Sequence, residues 1–569
     1  MCGIFAYIGS GNATQIVFDG LKKLEYRGYD SWGVAVSSDQ SLKVEKHIGK
    51  IGTSQCTLRA SHVALGHTRW ATHGGVTVSN SHPHLDCHGD LAVVHNGIIE
   101  NYPELKAELL GLGHHFVSAT DTEIFAHLVE EANKKYTLEQ AVDQSFKRLK
   151  GLNTIAVLSR DGTLVACKNG SPLIIGLGTQ GQLYLSSDLP SLLELTKKVS
   201  VIKDHELVVI RAGVLQTPLK FEQIKLTSEA ADRGKYQHFL LKEIHDQPAA
   251  LRRLAASDQA VFRQARRAIA RASSIYALGC GTAFYAMIEL SYLFARDGQR
   301  QVTPISASEF PSFAPLCDKS SVVVLASQSG ETIDTIEALR LAQAKGATTI
   351  ALVNVPGSTL AREADIVLPL VAGIERSVVS TKAFTNMVAT AGMLSSRSDQ
   401  VLSIAHGIEE MLTNQFTRTV MSLATRLKTC PDIYLIGRGE SYPVVLEGAM
   451  KLKEATYTHA EGFAGGELKH GVIALIEKGT PCIVVVADDA EKDSTISGAM
   501  ELKARGAWII GIGSRREAVF DNWLPVKDSR VLGSLYSVIP LQLLGYYLAV
   551  GKGLDPDMPR NLAKSVTVK

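Results

Sequence analysis

No Cys-x-x-Cys pair occurs in the chain. Its eight cysteines stand apart at 2, 56, 87, 167, 280, 317, 430 and 482, which argues against a zinc knuckle or a disulfide framework and suits a reducing compartment. A surplus of charge is missing too. With 59 Lys and Arg against 57 Asp and Glu, the formal charge is +2 and no long basic run is present, so neither nucleic acid nor an anionic membrane is expected as the main partner. No stretch reaches roughly eighteen uninterrupted apolar residues and the start lacks a basic region, so neither a membrane span nor a signal peptide is expected. The expected location is cytoplasmic. What is present is length: 569 residues are enough for three or four domains with large cores.

The chain opens MCGIFAYIGS, with a thiol in second place ahead of a strand-like run. Cys2 reads either as a small apolar residue near a terminus or, if Met1 is removed, as a nucleophile whose own α-amine serves as general base. Ten residues do not decide between them.

Up to about residue 215 the sequence is rich in Gly, His and short strand-like runs such as LAVVHNGIIE (91–100) and GQLYLSSD (181–188), which predicts an α+β domain. A polar, charged stretch, 216–245, is expected to be a linker. Beyond it, helical Ala/Leu/Arg segments alternate with apolar strands, as in parallel α/β units. IYALGCGTAFYAMIE (275–289) aligns with IYLIGRGESYPVVLE (433–447), and KGATTIALV (345–353) echoes RGAWIIGIG (505–513). Two homologous doubly wound domains are therefore expected, at 246–410 and 411–555, with a tail over 556–569.

The copies differ where a ligand would bind. Copy one contains VVVLASQSGETIDT (322–335), a strand followed by Ser327, Gln328, Ser329 and Thr332 at a strand-to-helix turn. Hydroxyls and free N–H groups there form an anion site, and without a P-loop lysine it suits a sugar monophosphate better than a nucleoside triphosphate. A plain helix cap with spare serines is the alternative. Copy two reads CIVVVADDAEKD (482–493), whose Asp488 and Asp489 would repel a phosphate. The paired acids also suggest a phosphoribosyl-diphosphate motif, but the Gly-Thr-Thr turn it needs does not follow.

LEYRGYDSWG (24–33), GHTRWATHGG (66–75), HPH (82–84), VVHNGIIEN (93–101) and TDTE (120–123) resemble the glutaminase domain of N-terminal-nucleophile amidotransferases. SQSGET (327–332), STKAFT (380–385), LEGAMKLKE (446–454), HAEGFAGGELKHG (459–471) and DPDMPRNLAKSVTV (555–568) resemble the paired sugar-isomerase (SIS) domains of the glutamine:fructose-6-phosphate amidotransferase family. The resemblance implies a layered α/β/β/α glutaminase domain (2–215) followed by two doubly wound SIS domains. It implies glutamine and fructose 6-phosphate as substrates, glucosamine 6-phosphate and glutamate as products, no cofactor, no metal, and at least a homodimer.

By the same resemblance Cys2 attacks the glutamine amide, and Asn96 and Gly97 supply an oxyanion hole. Arg69 clamps the α-carboxylate and Asp121 meets the α-ammonium. Thr72 and His73 line the pocket, Arg27 and Tyr29 belong to a closing loop, and Trp70 gates an ammonia passage. Asn-Gly is equally a hairpin-turn signal. Thr282, Ser327, Gln328, Ser329 and Thr332 hold the phosphate, and Val378 and Ser380 line the sugar. Glu454 moves the proton between C1 and C2, Lys451 keeps it ionised, and His470 assists ring opening in a neighbouring subunit. Lys564, flanked by Ala563 and Ser565, forms an imine with the sugar, with a pKa lowered by desolvation and by Lys451. A surface row Glu447–Lys451–Glu454 is the alternative for that helix.

Histidines 82, 84, 88 and 95 fit no common zinc spacing. Three departures from the family pattern stand out: Ala283 in the first-copy loop, Trp32 after YRGYDS, and Ala119 before Thr120. A sugar-phosphate deglycase or isomerase without amide transfer, and a non-enzymatic sugar-phosphate sensor, are the competing readings.

Overall fold

A computed structural model describes residues 2–224, 233–297, 300–395, 398–528 and 532–566. Met1 and its expected removal, the middle of the expected linker, and Lys569 lie outside the described residues. The chain divides into two compact units, Met1–Ala230 with Ser565–Lys569, and Ala231–Lys564.

In the first unit, alternation along the strands sorts residues into layers. Ile4, Ala6 and Ile8 of the strand Gly3–Ile8 pack against Ala92, Val94, Ala156 and Leu158 of a facing sheet, while Phe5 and Tyr7 point the other way, to Val17, Phe18 and Leu21 of the helix Ala13–Leu24. Gly3–Ile8 lies inside an eight-stranded sheet, antiparallel to Val63–Arg69 and Leu183–Ser186. The facing six-stranded sheet pairs Leu91–Gly97 with Asn153–Ser159. Its outer residues, Leu91, Val93, Ile155 and Val157, bury against Phe125 and Val129 of the helix Thr122–Asn133 and Val142 and Phe146 of the helix Leu138–Lys147. The result is the expected helix–sheet–sheet–helix stack.

Trp32 does not disturb this arrangement. It is buried beside Phe18 and stacks on His47 with ring centroids 4.4 Å apart. Asn96-Gly97 is not a hairpin turn: both residues end the strand Leu91–Gly97, opposite Thr154 and Asn153.

The second unit holds two five-stranded parallel sheets. One orders its strands Thr303–Ser306, Ser274–Gly279, Ser321–Ser327, Thr348–Val353, Ile366–Pro369; the other orders His459–Ala464, Asp432–Gly437, Pro481–Val486, Trp508–Gly513, Asn522–Pro525. Strand for strand the topology is the same, as the internal repeat predicts. Ser321–Ser327 is buried throughout, with Val322, Val324 and Ala326 in one core and Val323 and Leu325 in another, because helices cover both faces.

The stretch 216–245 is not all linker. Glu222–Gln223 forms an edge strand against Lys198–Val201, and Phe239–His245 is a helix because Leu240 and Ile244, one turn apart, both bury. Among the described residues one helix, Ser534–Gly551, is long and apolar enough to cross a membrane, but 78% of it is buried inside the protein, as in a core helix.

Candidate functional site

Cys2 sits at the start of the strand Gly3–Ile8, where Val63–Arg69 delivers Trp70 beside it. The Trp70 backbone N–H donates to Cys2 Sγ at 3.4 Å and the thiol lies 3.6 Å from Trp70 O. Burial pushes the thiol pKa up, and the Trp70 contact and the Arg69 charge work against that rise. Arg27 Nε reaches Cys2 O at 3.4 Å, and its guanidinium pairs with Asp188 at 3.2 Å. Both Arg27 and Tyr29 are buried.

Asn96 comes in on the neighbouring sheet. Its Oδ1 accepts from His67 Nε2 at 3.1 Å, and Nε2 also lies 3.0 Å from the His95 carbonyl oxygen. Since a carbonyl only accepts, the proton is on Nε2. Asn96 Nδ2 is buried without a hydrogen-bond partner. Gly97 has φ +146°, and a Cβ there would fall 2.3 Å from Leu152 O, so only glycine fits.

His67 was missed in the sequence although it stands in the quoted GHTRW. It belongs to a buried group of rings: His67 stacks on His82 at 4.1 Å and His82 meets His84 at 4.8 Å. Burial pushes His67 down to about 3 and lowers His82, His84 and His95, so all four are neutral. His84 bonds Thr120 Oγ1 at 3.0 Å and His95 bonds Thr122 Oγ1 at 2.9 Å.

Arg69 holds the 73–75 loop. Its guanidinium donates to the carbonyls of His73 at 2.5 Å, Gly74 at 3.0 Å and Gly75 at 3.2 Å. His73 packs edge-on against Tyr102, and Thr72 is exposed. Asp121 is buried at the start of Thr122–Asn133, where its Oδ2 accepts from the Ile99 N–H at 2.8 Å. The Ala119 N–H is satisfied by Asn80 Oδ1 at 2.9 Å.

In the second unit, Ser327 ends its strand and Thr332 precedes the helix Ile333–Ala344. Thr332 makes no side-chain cap bond; its hydroxyl lies 3.1 Å from Ser327 Oγ. Ser327 Oγ accepts from the Gly330 N–H at 3.0 Å and Ser329 Oγ from the Glu331 N–H at 3.1 Å. Gln328 completes the turn. Gly330 has φ +68° and a Cβ would fall 2.1 Å from Ser358 Oγ, which fixes the loop's path. In copy two, Asp489 accepts from the Glu491 N–H and Asp488 lies 3.4 Å from Lys492 Nζ. Ala283 is buried in the core.

The helix Ser441–Thr456 carries the charged row, and the row is not a solvated one. Glu447 and Lys451 are fully buried, and Glu454 remains 24% exposed. Lys451 Nζ lies 2.8 Å from Glu454, 3.3 Å from Glu447 and 3.0 Å from Thr282 Oγ1, so it ties copy two to the first-copy loop. Burial lifts Glu447 to about 7; burial works to lower Lys451, but the two carboxylates outweigh it and hold it well up.

The tail is irregular and packed. The Val378 N–H donates to Asp557 O at 2.9 Å, and Asp557 accepts from the Phe239 and Leu240 N–H groups. Lys564, next to the half-buried Ala563, is 5% exposed, and its Nζ lies 2.6 Å from Glu375, which is wholly buried. This corrects the expectation of a cationic neighbour: the group facing Lys564 is a carboxylate. Burial alone would raise Glu375, but Lys564 outweighs it and holds the acid at about 2. Ser380 Oγ donates to Glu375 at 2.9 Å. Nothing in GIERS announced Glu375: the Ser380 hydroxyl and the Thr381 and Ala383 N–H groups that it accepts from lie close by, but the cation it pairs with comes from the far tail. His470 is exposed on the turn Glu467–His470.

Comparison with known proteins agrees with this division. The glutamine amidotransferase domain family matches residues 40–227, and the SIS domain family matches 268–397 and 426–519. Glutamine–fructose-6-phosphate aminotransferase [isomerizing] of Thermococcus kodakarensis is 40% identical over 605 residues, covering all of both chains. That of Clostridium perfringens is 40% identical over 615 residues, with the same coverage. Among solved structures, the C-terminal domain of glucosamine-fructose-6-phosphate aminotransferase from Francisella tularensis is 31% identical with TM-score 0.52, matching 58% of this chain and all of its own. Tagatose-6-phosphate ketose/aldose isomerase from Escherichia coli, 17% identical with TM-score 0.51 over 57% of this chain and 95% of its own, shares the fold.

Proposed function

The chain belongs to the isomerizing glutamine–fructose-6-phosphate aminotransferase family, and from that membership we propose how its residues divide the work. The protein is an enzyme that moves the amide nitrogen of glutamine to fructose 6-phosphate and isomerises the product to glucosamine 6-phosphate, releasing glutamate.

Cys2 Sγ attacks the glutamine amide carbon, passing its proton to its own α-amine. The developing oxyanion takes hydrogen bonds from Asn96 Nδ2 and the Gly97 N–H, and ammonia leaves. Water then releases glutamate. Arg69 and Asp121 receive the substrate's charged ends, Thr72 and His73 line the pocket, Arg27 closes over it, and Trp70 controls the ammonia.

The hydroxyls of Thr282, Ser327, Ser329 and Thr332, with Gln328, hold the sugar phosphate, and Val378 and Ser380 line the sugar. Lys564 adds to C2 of the open ketose and water departs as the imine forms. Before it adds, its ammonium proton leaves to solvent, and the Glu375 carboxylate, 2.6 Å away, positions the amine. Ammonia displaces the lysine, and Glu454 carries the C1 proton to C2. The water lost in imine formation balances the water used in amide hydrolysis. His470, exposed here, assists ring opening in a second copy, so the working form is a dimer.

The buried Lys564–Glu375 pair carries this reading, because it explains why a tail amine is held in a pocket of the SIS unit. The deglycase and sensor readings do not account for the unpartnered Asn96 Nδ2. The test is to supply glutamine and fructose 6-phosphate and follow glutamate and hexosamine phosphate together. Equal amounts of both are expected; glutamate alone would leave only an uncoupled glutaminase, and neither would leave a binding protein.

A further inference from the structure

Away from both sites, Cys87, His114, His127 and Glu130 bring one ligand atom each to within 4.8 Å of one another. We propose that these four residues form a tetrahedral zinc site in the glutaminase unit. No zinc spacing among His82, His84, His88 and His95 pointed to it, since only Cys87 lies in that stretch; His114 comes from the loop after the helix Tyr102–Gly111, and His127 and Glu130 from the helix Thr122–Asn133.

Four of the six separations among these atoms are close to those around an ion, and all six fall within 4.8 Å. Cys87 Sγ lies 3.6 Å from His114 Nδ1 and 3.5 Å from His127 Nδ1, and Glu130 Oε2 lies 3.1 Å from each of those nitrogens. Tetrahedral zinc with ordinary bond lengths sets sulfur–nitrogen edges of about 3.6 Å and nitrogen–oxygen edges of about 3.4 Å. A thiolate, two imidazoles and a carboxylate form a borderline donor set that suits zinc better than magnesium or calcium.

The outer contacts also fit. A ligating histidine usually gives its second nitrogen to a carboxylate. His114 Nε2 lies 3.2 Å from Glu131, and His127 Nε2, buried and without a hydrogen bond, lies 3.7 Å from Glu123. The second Glu130 oxygen lies 3.5 Å from His88, while Oε2 also accepts the Cys87 N–H at 3.1 Å. Cys87 is exposed, which gives an ion a way in, and its thiol proton leaves to water when the metal binds. The ion would pin the 85–90 loop to the helix that Asp121 begins.

The experiment is metal analysis of the full-length protein after zinc loading and gel filtration, with competitive titration against a chromophoric chelator. About one zinc per chain is expected for wild type and for Cys2→Ala, and none for Cys87→Ser or His127→Gln. Glu131→Gln should weaken zinc by roughly 10–100-fold without abolishing it. Cobalt loading should give a thiolate charge-transfer band that Cys87→Ser, with unchanged circular dichroism, lacks. No retained zinc in wild type would overturn the site. So would zinc that survives Cys87→Ser and His127→Gln, or that is lost in Cys2→Ala instead.

Discussion

His67 holds the Asn96 amide from behind: its Nε2–H donates to Asn96 Oδ1 at 3.1 Å and leaves Asn96 Nδ2 buried and open. A neutral ring in a fixed tautomer thus aims Asn96 Nδ2, the proposed oxyanion donor, before substrate arrives. Asn96→Ala should lower glutaminase kcat by roughly 10²–10³-fold with little change in KM. His67→Phe keeps a ring but no donor, and should lower kcat about tenfold, the equivalent of one hydrogen bond. Steady-state kinetics separate the two constants; unchanged kcat in folded His67→Phe would remove His67 from this role.

The two SIS copies should respond differently to the same probe. Ser329→Ala and Thr332→Ala each lose a hydroxyl in the 327–332 turn and should weaken fructose 6-phosphate binding by about 1–3 kcal/mol. Asp488→Ala and Asp489→Ala should leave it nearly unchanged. Calorimetric titration of the four variants decides, and a larger effect in copy two would place the sugar there.

Glu243 gives a pH signature. Burial, then the Glu375 charge, raise it to about 8, against the partial relief of Lys382 and Lys564. A carboxyl whose folded pKa is raised favours the folded state below its unfolded value of about 4.5, and that advantage is lost as pH rises toward about 8. Glu243→Gln cannot ionise. It should match wild type at pH 4 and exceed it by a few kcal/mol at pH 8. Denaturant unfolding across that range measures the gap, and a gap that shrinks as pH rises would reverse the assignment.

Glu454→Gln removes the proposed proton carrier and is expected to leave imine formation in place. Amino-sugar synthesis should fall by about 10²–10⁴-fold while glutamate release continues, and exchange of the C1 proton into deuterated water should stop. Continued exchange would mean another group moves that proton.

Much of this was legible in the sequence. Alternation in GIFAYI forecasts the layers, and the paired strand–Gly-x-Gly segments forecast two sheets of one topology. Local motifs also pointed to Cys2, the 327–332 turn and the Lys451 row, because each motif stands in a short run of sequence, even though Cys2 meets Trp70 and Lys451 meets Thr282 only through the fold. What escaped depends on distant approach. His67 matters through Asn96, 29 residues on, and Glu375 through Lys564, 189 residues on. Asn-Gly offered a turn by local preference, and sheet pairing made it a strand end instead.

The measurement that reaches furthest into this account is borohydride trapping with fructose 6-phosphate, read by peptide mass spectrometry. Lys564 should carry the reduced sugar phosphate in wild type, and nothing should be labelled in Lys564→Arg, which should still hydrolyse glutamine but make no glucosamine 6-phosphate. An unlabelled Lys564, or a Lys564→Arg enzyme making amino sugar at the wild-type rate, would contradict it.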